Sequence, residues 1–300
     1  MEQRIIPNVW HAGTAVEAAE FYTSVVPESR IVATSYYPEE GLAEFQKPLA
    51  GQPLVVELDL GGFQVVHINA GDDFRPTPAI SYMVNFDPLF FGDDEPAARH
   101  ALAAMWEALS DGGTVLMPLD SYPFSPLYGW VADRYGMTWQ LILTDPGGEQ
   151  RPFIMPAFLF AGDAQNRAGE AIGRWTSVFD DAEIATMVPY DEATGPAAAG
   201  SVMFADFTLA GQWFVAMDAA APADGFSPGV SLSVRCEDQA EIDRYWAALS
   251  RQPETEQCGW CNDEFGVSWQ IEPANIAELM ERPGAFERLM TMKKIVIDQF

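Results

Sequence analysis

Tyr128-Gly129-Trp130-Val131-Ala132-Asp133-Arg134-Tyr135-Gly136-Met137-Thr138-Trp139-Gln140 returns later in the chain as Cys258-Gly259-Trp260-Cys261-Asn262-Asp263-Glu264-Phe265-Gly266-Val267-Ser268-Trp269-Gln270. The shared pattern is G-W-x-x-D-x-(aromatic)-G-x-(S/T)-W-Q. Two Trp, two Gly, one Asp and one Gln at fixed spacing mark a duplication. Working outward, Trp106 to Ser110 matches Trp246 to Ser250, and Gly62 to Ala70 matches Gly211 to Ala219. Pro7 to Gly13 corresponds more loosely to Pro156 to Gly162. The distance between partners shrinks along the chain, so the first copy carries insertions, near Leu89 to Pro96 and near Ser121 to Leu127. Both are expected as loops. A Pro- and Gly-rich junction at 145–152 separates two units, residues 1–148 and 152–300.

Within the first unit, Ile5 to Trp10 reads as a strand. A helix follows, with Thr14 as N-cap and Glu17 three residues on. Leu54 to Leu60 and Phe63 to Ile68 read as a hairpin joined at Gly61-Gly62. Ala79 to Phe86 reads as a strand, His100 to Leu109 as a helix, and Val115 to Leu119, Gly129 to Asp133 and Thr138 to Leu143 as strands. The second unit repeats the order and adds a helical stretch at 274–290, broken near Pro283-Gly284. The pattern is β-α-β-β-β, twice per unit, which is an α+β class with mostly antiparallel neighbours.

The G-W-x-x-D-x-(aromatic)-G-x-x-W-Q ending and the opening P-x-(hydrophobic)-x-x-x-G before a helix resemble the PhnB-like branch of the vicinal oxygen chelate (glyoxalase/bleomycin-resistance) superfamily. That branch is often described as 3-demethylubiquinone-9 3-methyltransferase-like. The resemblance implies tandem glyoxalase/bleomycin-resistance-like domains. Their four βαβββ modules form curved mixed sheets around small-molecule cavities. In metal-dependent members, His, Glu or Gln from four strands hold a divalent metal that chelates vicinal oxygens. Carried over by motif, those positions fall near Pro7, His67, Ser81 and Gln140, and near Pro156, Ala216, Ser231 and Gln270. Only His67 and Gln140 are strong ligands there, and two ligands do not hold a metal tightly.

The expectation is therefore a small-molecule binder without the usual metal centre, with Trp10, His11, His67, Trp139, Gln140 and Gln270 as ligand-contacting residues. No cofactor is expected. The alternative is a metal-dependent lyase, isomerase or dioxygenase acting on a small oxygenated substrate in the first unit, with His67 and Gln140 as weak metal candidates. Because His11 and His67 occur only in the first copy, function is expected in residues 1–148. Leu58-Asp59-Leu60-Gly61-Gly62 hints at a nucleotide or methyl-donor loop, but a strand rather than a helix follows, so the methyltransferase label finds no cofactor loop.

The remaining features exclude more than they assign. A formal net charge of -28, from 16 Lys and Arg against 44 Asp and Glu, argues against nucleic acid and anionic membranes as partners. No apolar stretch approaches the roughly 20 residues that span a bilayer and no signal pattern is evident, so a cytoplasmic protein is expected. Internal pairing of the two units would make it a monomer; a homodimer is the other option. Its 3 cysteines do not make a disulfide framework. Cys258-x-x-Cys261 aligns with Tyr128 and Val131 at a strand start, not at a helix N-terminus that would activate a thiol. No Ser-His-Asp or nucleophile-elbow pattern is present.

Overall fold

The structure, a computed structural model, describes residues 3–44 and 46–300. Four modules follow one another. The first runs β1 (Ile5–His11), α1 (Ala15–Val25), β2 (Arg30–Tyr36), β3 (Pro53–Leu60) and β4 (Phe63–Asn69). The second is β5 (Ile80–Phe86), α2 (Glu95–Ser110), β6 (Thr114–Tyr122), β7 (Ser125–Ala132) and β8 (Thr138–Leu143). The third is β9 (Ile154–Phe160), α3 (Ala168–Val178), β10 (Glu183–Pro189), β11 (Val202–Leu209) and β12 (Gln212–Asp218). The fourth is shorter: β13 (Val230–Cys236), α4 (Gln239–Leu249), β14 (Trp260–Asn262) and β15 (Ser268–Pro273). Helices α5 (Ile276–Met280) and α6 (Ala285–Thr291) close the chain, with the break at Pro283-Gly284 that the sequence suggests.

The α+β architecture matches the expectation, with two corrections. β2 and β10 are not evident from the sequence. Both are edge strands with register shifts and largely exposed side chains, so hydrophobic alternation does not announce them. With β2 counted, Ile80–Phe86 opens the second module instead of closing the first. The insertion near Ser121 to Leu127 is not a loop: it forms the β6–β7 hairpin, pairing through Tyr122↔Ser125.

The modules pair across the duplication. Sheet 1 has the order β14-β15-β13-β1-β4-β3-β2, and sheet 2 the order β10-β11-β12-β9-β5-β8-β7-β6. The seams are antiparallel, β1 on β13 from Ile5↔Val234 to Val9↔Val230 and β5 on β9 from Ile80↔Phe158 to Val84↔Ile154. Each sheet therefore draws strands from both copies. The chain changes sheet twice, at 70–79 and at 219–229, and the two crossovers touch. Ser227 Oγ donates to the Arg75 carbonyl at 2.6 Å, and Thr77 Oγ1 to the Gly225 carbonyl at 2.9 Å.

The hairpin at Gly61-Gly62 is as expected. Both residues have positive φ, +61° and +90°, which a two-residue turn matching the strand twist requires. Its counterpart is Ala210-Gly211, where alanine accepts a φ of +50° at a steric cost glycine would not incur.

Side chains alternate across each sheet. Ile5, Val9, Val56, Leu58, Val65, Leu232, Val234, Trp269 and Ile271 point to the helices and join one continuous core. The intervening residues line a cup on the other face. The C-terminal segment ties the two edges of sheet 1 together. Cys258 N and Gly259 N donate to the carbonyls of Met292 and Lys293 beside β14, while the Phe286 ring of α6 lies 6.3 Å from Tyr37, just past β2.

Candidate functional site

The motif that reveals the duplication proves to be a folding device. Asp133 Oδ1 accepts from the Tyr135 and Met137 amides at 2.8 and 3.2 Å, closing the turn that Gly136 permits with φ +89°. Its Oδ2 accepts from Tyr22 Oη and Trp139 Nε1, both at 2.8 Å. Asp263 repeats the arrangement, with the Phe265 and Val267 amides on Oδ1 and the Trp175 and Trp269 indoles on Oδ2. Trp139 is fully buried on the helix side. It therefore lies outside either cup, contrary to the expectation that it contacts a ligand.

His11 and His67 do converge, but also behind sheet 1. His11 Nε2 and His67 Nδ1 are 2.7 Å apart, and His11 Nδ1 is 3.2 Å from Thr14 Oγ1. Both rings are buried, with His67 against Tyr22 at 5.2 Å between ring centres. The least costly arrangement has His67 Nδ1–H donating to His11 and His11 Nδ1–H donating to Thr14. It leaves a lone pair, not an N–H, unpartnered at the buried His67 Nε2. Burial lowers the His11 pKa to about 4 and pushes His67 in the same direction, with the His11 charge adding to it.

These shifts set a pH expectation. Unfolded, His11 takes up a proton near pH 6.5; folded, it resists until about 4. Stability is thus lost as pH falls between those values, by about 3 kcal/mol for this residue. Glu272 and Asp263, pushed up to about 7 and about 6, act in the opposite sense over much of that range. His11→Gln isolates the histidine contribution. Urea unfolding should show the wild type losing about 2 kcal/mol or more relative to the variant between pH 7 and pH 4.5. Parallel pH profiles would contradict a buried neutral pair.

The cup of sheet 1 is polar. Its floor holds Asn8 on β1, Ser231 and Ser233 on β13, and Gln270 on β15, all buried. Asn8 Nδ2 donates to Ser233 Oγ at 3.0 Å and to the Ile6 carbonyl at 2.8 Å. Gln270 Nε2 donates to Ser231 Oγ at 2.9 Å, and its carbonyl oxygen accepts nothing among the described residues. Arg235 and Glu272 are strand neighbours at one end, and Glu57 on β3 faces them from the opposite wall. Burial pushes the Glu272 carboxyl up to about 7 against the pull of Arg235 and the Ser233 hydroxyl, and the Glu57 charge adds to the push. Arg235 makes no ion pair or side-chain hydrogen bond among the described residues, and its Nε is buried without a partner. At the other end stands an aromatic rim. Trp10 donates its indole N–H to the Gly71 carbonyl at 2.8 Å and meets Phe74 and Trp260 edge-on at 5.1 and 6.0 Å.

The cup of sheet 2 is filled. Met83, Met155, Ala157 and Val215 pack there with Ile142, Phe204, Trp213 and Met217. Gln140 lies in this cup, not beside His67. Its carbonyl accepts from Tyr128 Oη and its amide donates to Ser81 Oγ, each at 2.7 Å, so both functions are satisfied internally. Arg151 also closes in, bonded to Asp206 at 2.8 Å and lying 3.9 Å over the Trp213 ring.

Of the residues expected at a ligand, Trp10 and Gln270 share the first cup, Gln140 occupies the second, and His11, His67 and Trp139 lie behind the sheets. The sequence reading missed Asn8, Glu57, Arg235 and Glu272. Their signal was polar side chains at alternate positions inside apolar strands, as in Val56-Glu57-Leu58 and Ile271-Glu272-Pro273. Nor does the site belong to residues 1–148 alone, because β13 and β15 supply half of it. Among the described residues no three His, Cys, Asp or Glu side chains group to hold a metal ion. Cys261 and Cys236 are buried, with thiols pushed up to about 12 by burial, which is the reverse of a reactive pair. No described helix is long and apolar enough to cross a membrane.

Comparison with known proteins agrees with this architecture. A family model described as 3-demethylubiquinone-9 3-methyltransferase matches residues 3–142 and again 152–272. Comparison with curated proteins gave no match. Among solved structures, a putative 3-demethylubiquinone-9 3-methyltransferase, PhnB protein, from Bacillus cereus is 32% identical over 47% of this chain and 100% of its own, with a TM-score of 0.39. Glyoxalase I from Zea mays is 10% identical over 91% of this chain and 95% of its own, with a TM-score of 0.52, a likeness of fold alone. A putative dioxygenase from Bacillus subtilis is 14% identical over 88% of this chain and 83% of its own, with a TM-score of 0.47. With both copies matched by one family model, the chain belongs to the family described as 3-demethylubiquinone-9 3-methyltransferase, to which the PhnB protein is similar.

Proposed function

We propose that this chain is a small-molecule-binding protein of the glyoxalase/bleomycin-resistance type, with its ligand in the cup of sheet 1 and without the superfamily's metal centre. The observation that carries this reading is the contrast between two cups of common descent. One is floored by the polar side chains of Asn8, Ser231, Ser233 and Gln270, while the other is packed with methionine and aromatic side chains. Polar groups gathered on one sheet face call for hydrogen-bonding partners, and ligand sites favour a few directed polar groups against apolar walls.

The donors do not suit a transition-metal centre. His67 and Gln140 lie on opposite sides of different sheets, and Gln140 already spends both ends of its amide. Both points weigh against the ligand set on which a metal-dependent lyase, isomerase or dioxygenase would rest. A methyl donor fits no better. Gly61-Gly62 turns directly from β3 into β4, and no helix N-terminus follows to present amides to it.

Two measurements on one preparation test the reading. Elemental analysis of protein purified without chelator should find less than about a tenth of an equivalent of divalent metal, far below the stoichiometric loading of a built site. A tryptophan-fluorescence screen of small aromatic compounds should yield ligands whose signal falls with Trp10→Ala. Stoichiometric metal, or ligands indifferent to Trp10 but lost on filling changes around Met83, would overturn it.

A further inference from the structure

We propose that the ligand of the sheet 1 cup is an aromatic carboxylic acid, its carboxylate on Arg235 and its ring toward Trp10 and Trp260. This inference rests on the reading of that cup as the ligand site, and adds the chemical class. An unpaired guanidinium in a half-buried position is costly. Each buried N–H without an acceptor costs free energy. Arg235 has no acceptor among the described residues, and its Nε is sealed from solvent. Burial opposes the ionisation of its strand neighbour Glu272, while the Arg235 charge favours it. No ion pair joins the two. A carboxylate offers the planar, two-oxygen acceptor that a guanidinium matches in bidentate fashion.

The second cup serves as an internal control. The duplication places Asn85 where the first cup has Arg235, Ile142 for Glu272, Met83 for Ser233 and Ala157 for Asn8. The framework survives those exchanges, with Gln140 on Ser81 just as Gln270 is on Ser231. The polar set of the first cup is therefore not demanded by the fold. The second cup also shows a guanidinium engaged by the chain's own carboxylate, at Asp206, whereas Glu57 at the matching position of the first cup makes no ion pair with Arg235 among the described residues. Arg151 pairs with Asp206 at 2.8 Å and stacks on Trp213. In the first cup the flat apolar surface and the guanidinium are present, but set apart. Trp10 stands toward the C-terminal end of β1 and Arg235 beside its N-terminal end, with Ile6 and Asn8 between, while Trp260 pairs with Gln270 level with Ser233 and meets Trp10 through its ring. A ligand that satisfies both ends needs a flat ring and an anionic head joined by a short spacer.

The probes are benzoate, phenylacetate and 3-phenylpropionate against their uncharged primary amides, with binding read by calorimetry on the full chain. At least one acid should bind ten-fold or more tightly than its amide. Arg235→Gln should erase that difference by weakening the acid alone, and Arg235→Lys should restore part of it. Arg151→Gln, in the other cup, should leave both affinities unchanged. The thermal midpoint of each variant reports whether the fold is intact. Equal binding of acid and amide by the wild type would overturn the inference and leave the cup reading standing. So would a preference that persists in Arg235→Gln. No binding by any of the six probes would also overturn it, and the tryptophan-fluorescence screen of small aromatic compounds then decides the cup reading separately.

Discussion

Replacing Asp263 with alanine is expected to cost about 4 kcal/mol of folding stability, because four donors lose their acceptor at once. The Phe265 and Val267 amides and the Trp175 and Trp269 indoles all converge on this buried carboxylate. An alanine leaves a void too small for the chain to refill with acceptors, and Trp175 and Trp269 cannot turn to water from a fully buried position. Asp133→Ala should act alike, with the Tyr22 hydroxyl in place of one indole. Urea unfolding at neutral pH reads the effect directly. A loss below about 1 kcal/mol would mean that these carboxylates merely decorate the turn, as an exposed Asx contact does.

Gly229→Ala should be nearly as severe, for a different reason. A Cβ there would overlap the carbonyl carbon and oxygen of Arg75 and the Pro76 nitrogen. These are backbone atoms of the other crossover, so no side chain can swing aside. The two connections must separate, and overpacking of this kind costs about 3 kcal/mol. The Trp10 amide donates to the Gly229 carbonyl at 2.9 Å, so the shift would be felt at the rim of the first cup as well. The check is the unfolding midpoint alongside the Trp10-dependent fluorescence response, both of which should fall. A variant as stable as the wild type would contradict the close crossing of the chain between its two sheets.

Much of the fold was legible because its signals are local. The D-x-(aromatic)-G-x-(S/T)-W turn, the Gly61-Gly62 hairpin and the broken C-terminal helix each follow from a few neighbouring residues. β2 and β10 were not legible: an exposed edge strand with bulges has no buried face to impose alternation. Which module pairs with which was not legible either. Each module presents a similar first strand, and only the crossovers at 70–79 and 219–229 select the partner across the duplication.

The site was half legible, and the errors share one cause. Strand side chains alternate, so a slip of one residue exchanges the cup for the core. Pro7 and His67 lie one position from the cup-facing Asn8 and Val66, whereas Ser81, Gln140, Ser231 and Gln270 fall on the cup side. His11 drew notice as a titratable group in the first copy alone, yet it spends its nitrogens on His67 and Thr14. Arg235 and Glu272 escaped notice because each looks like an ordinary solvent-facing charge until the sheet curls round them.

The central claim is that one cup, built from the first and last modules together, holds the ligand. A crystallographic screen of small aromatic fragments tests it most directly. Fragments are expected in the cup of sheet 1, in contact with Gln270 or Arg235 and with Trp10 or Trp260. Fragments confined to the sheet 2 cup among Met83, Met155 and Trp213, with the sheet 1 cup empty throughout, would contradict it.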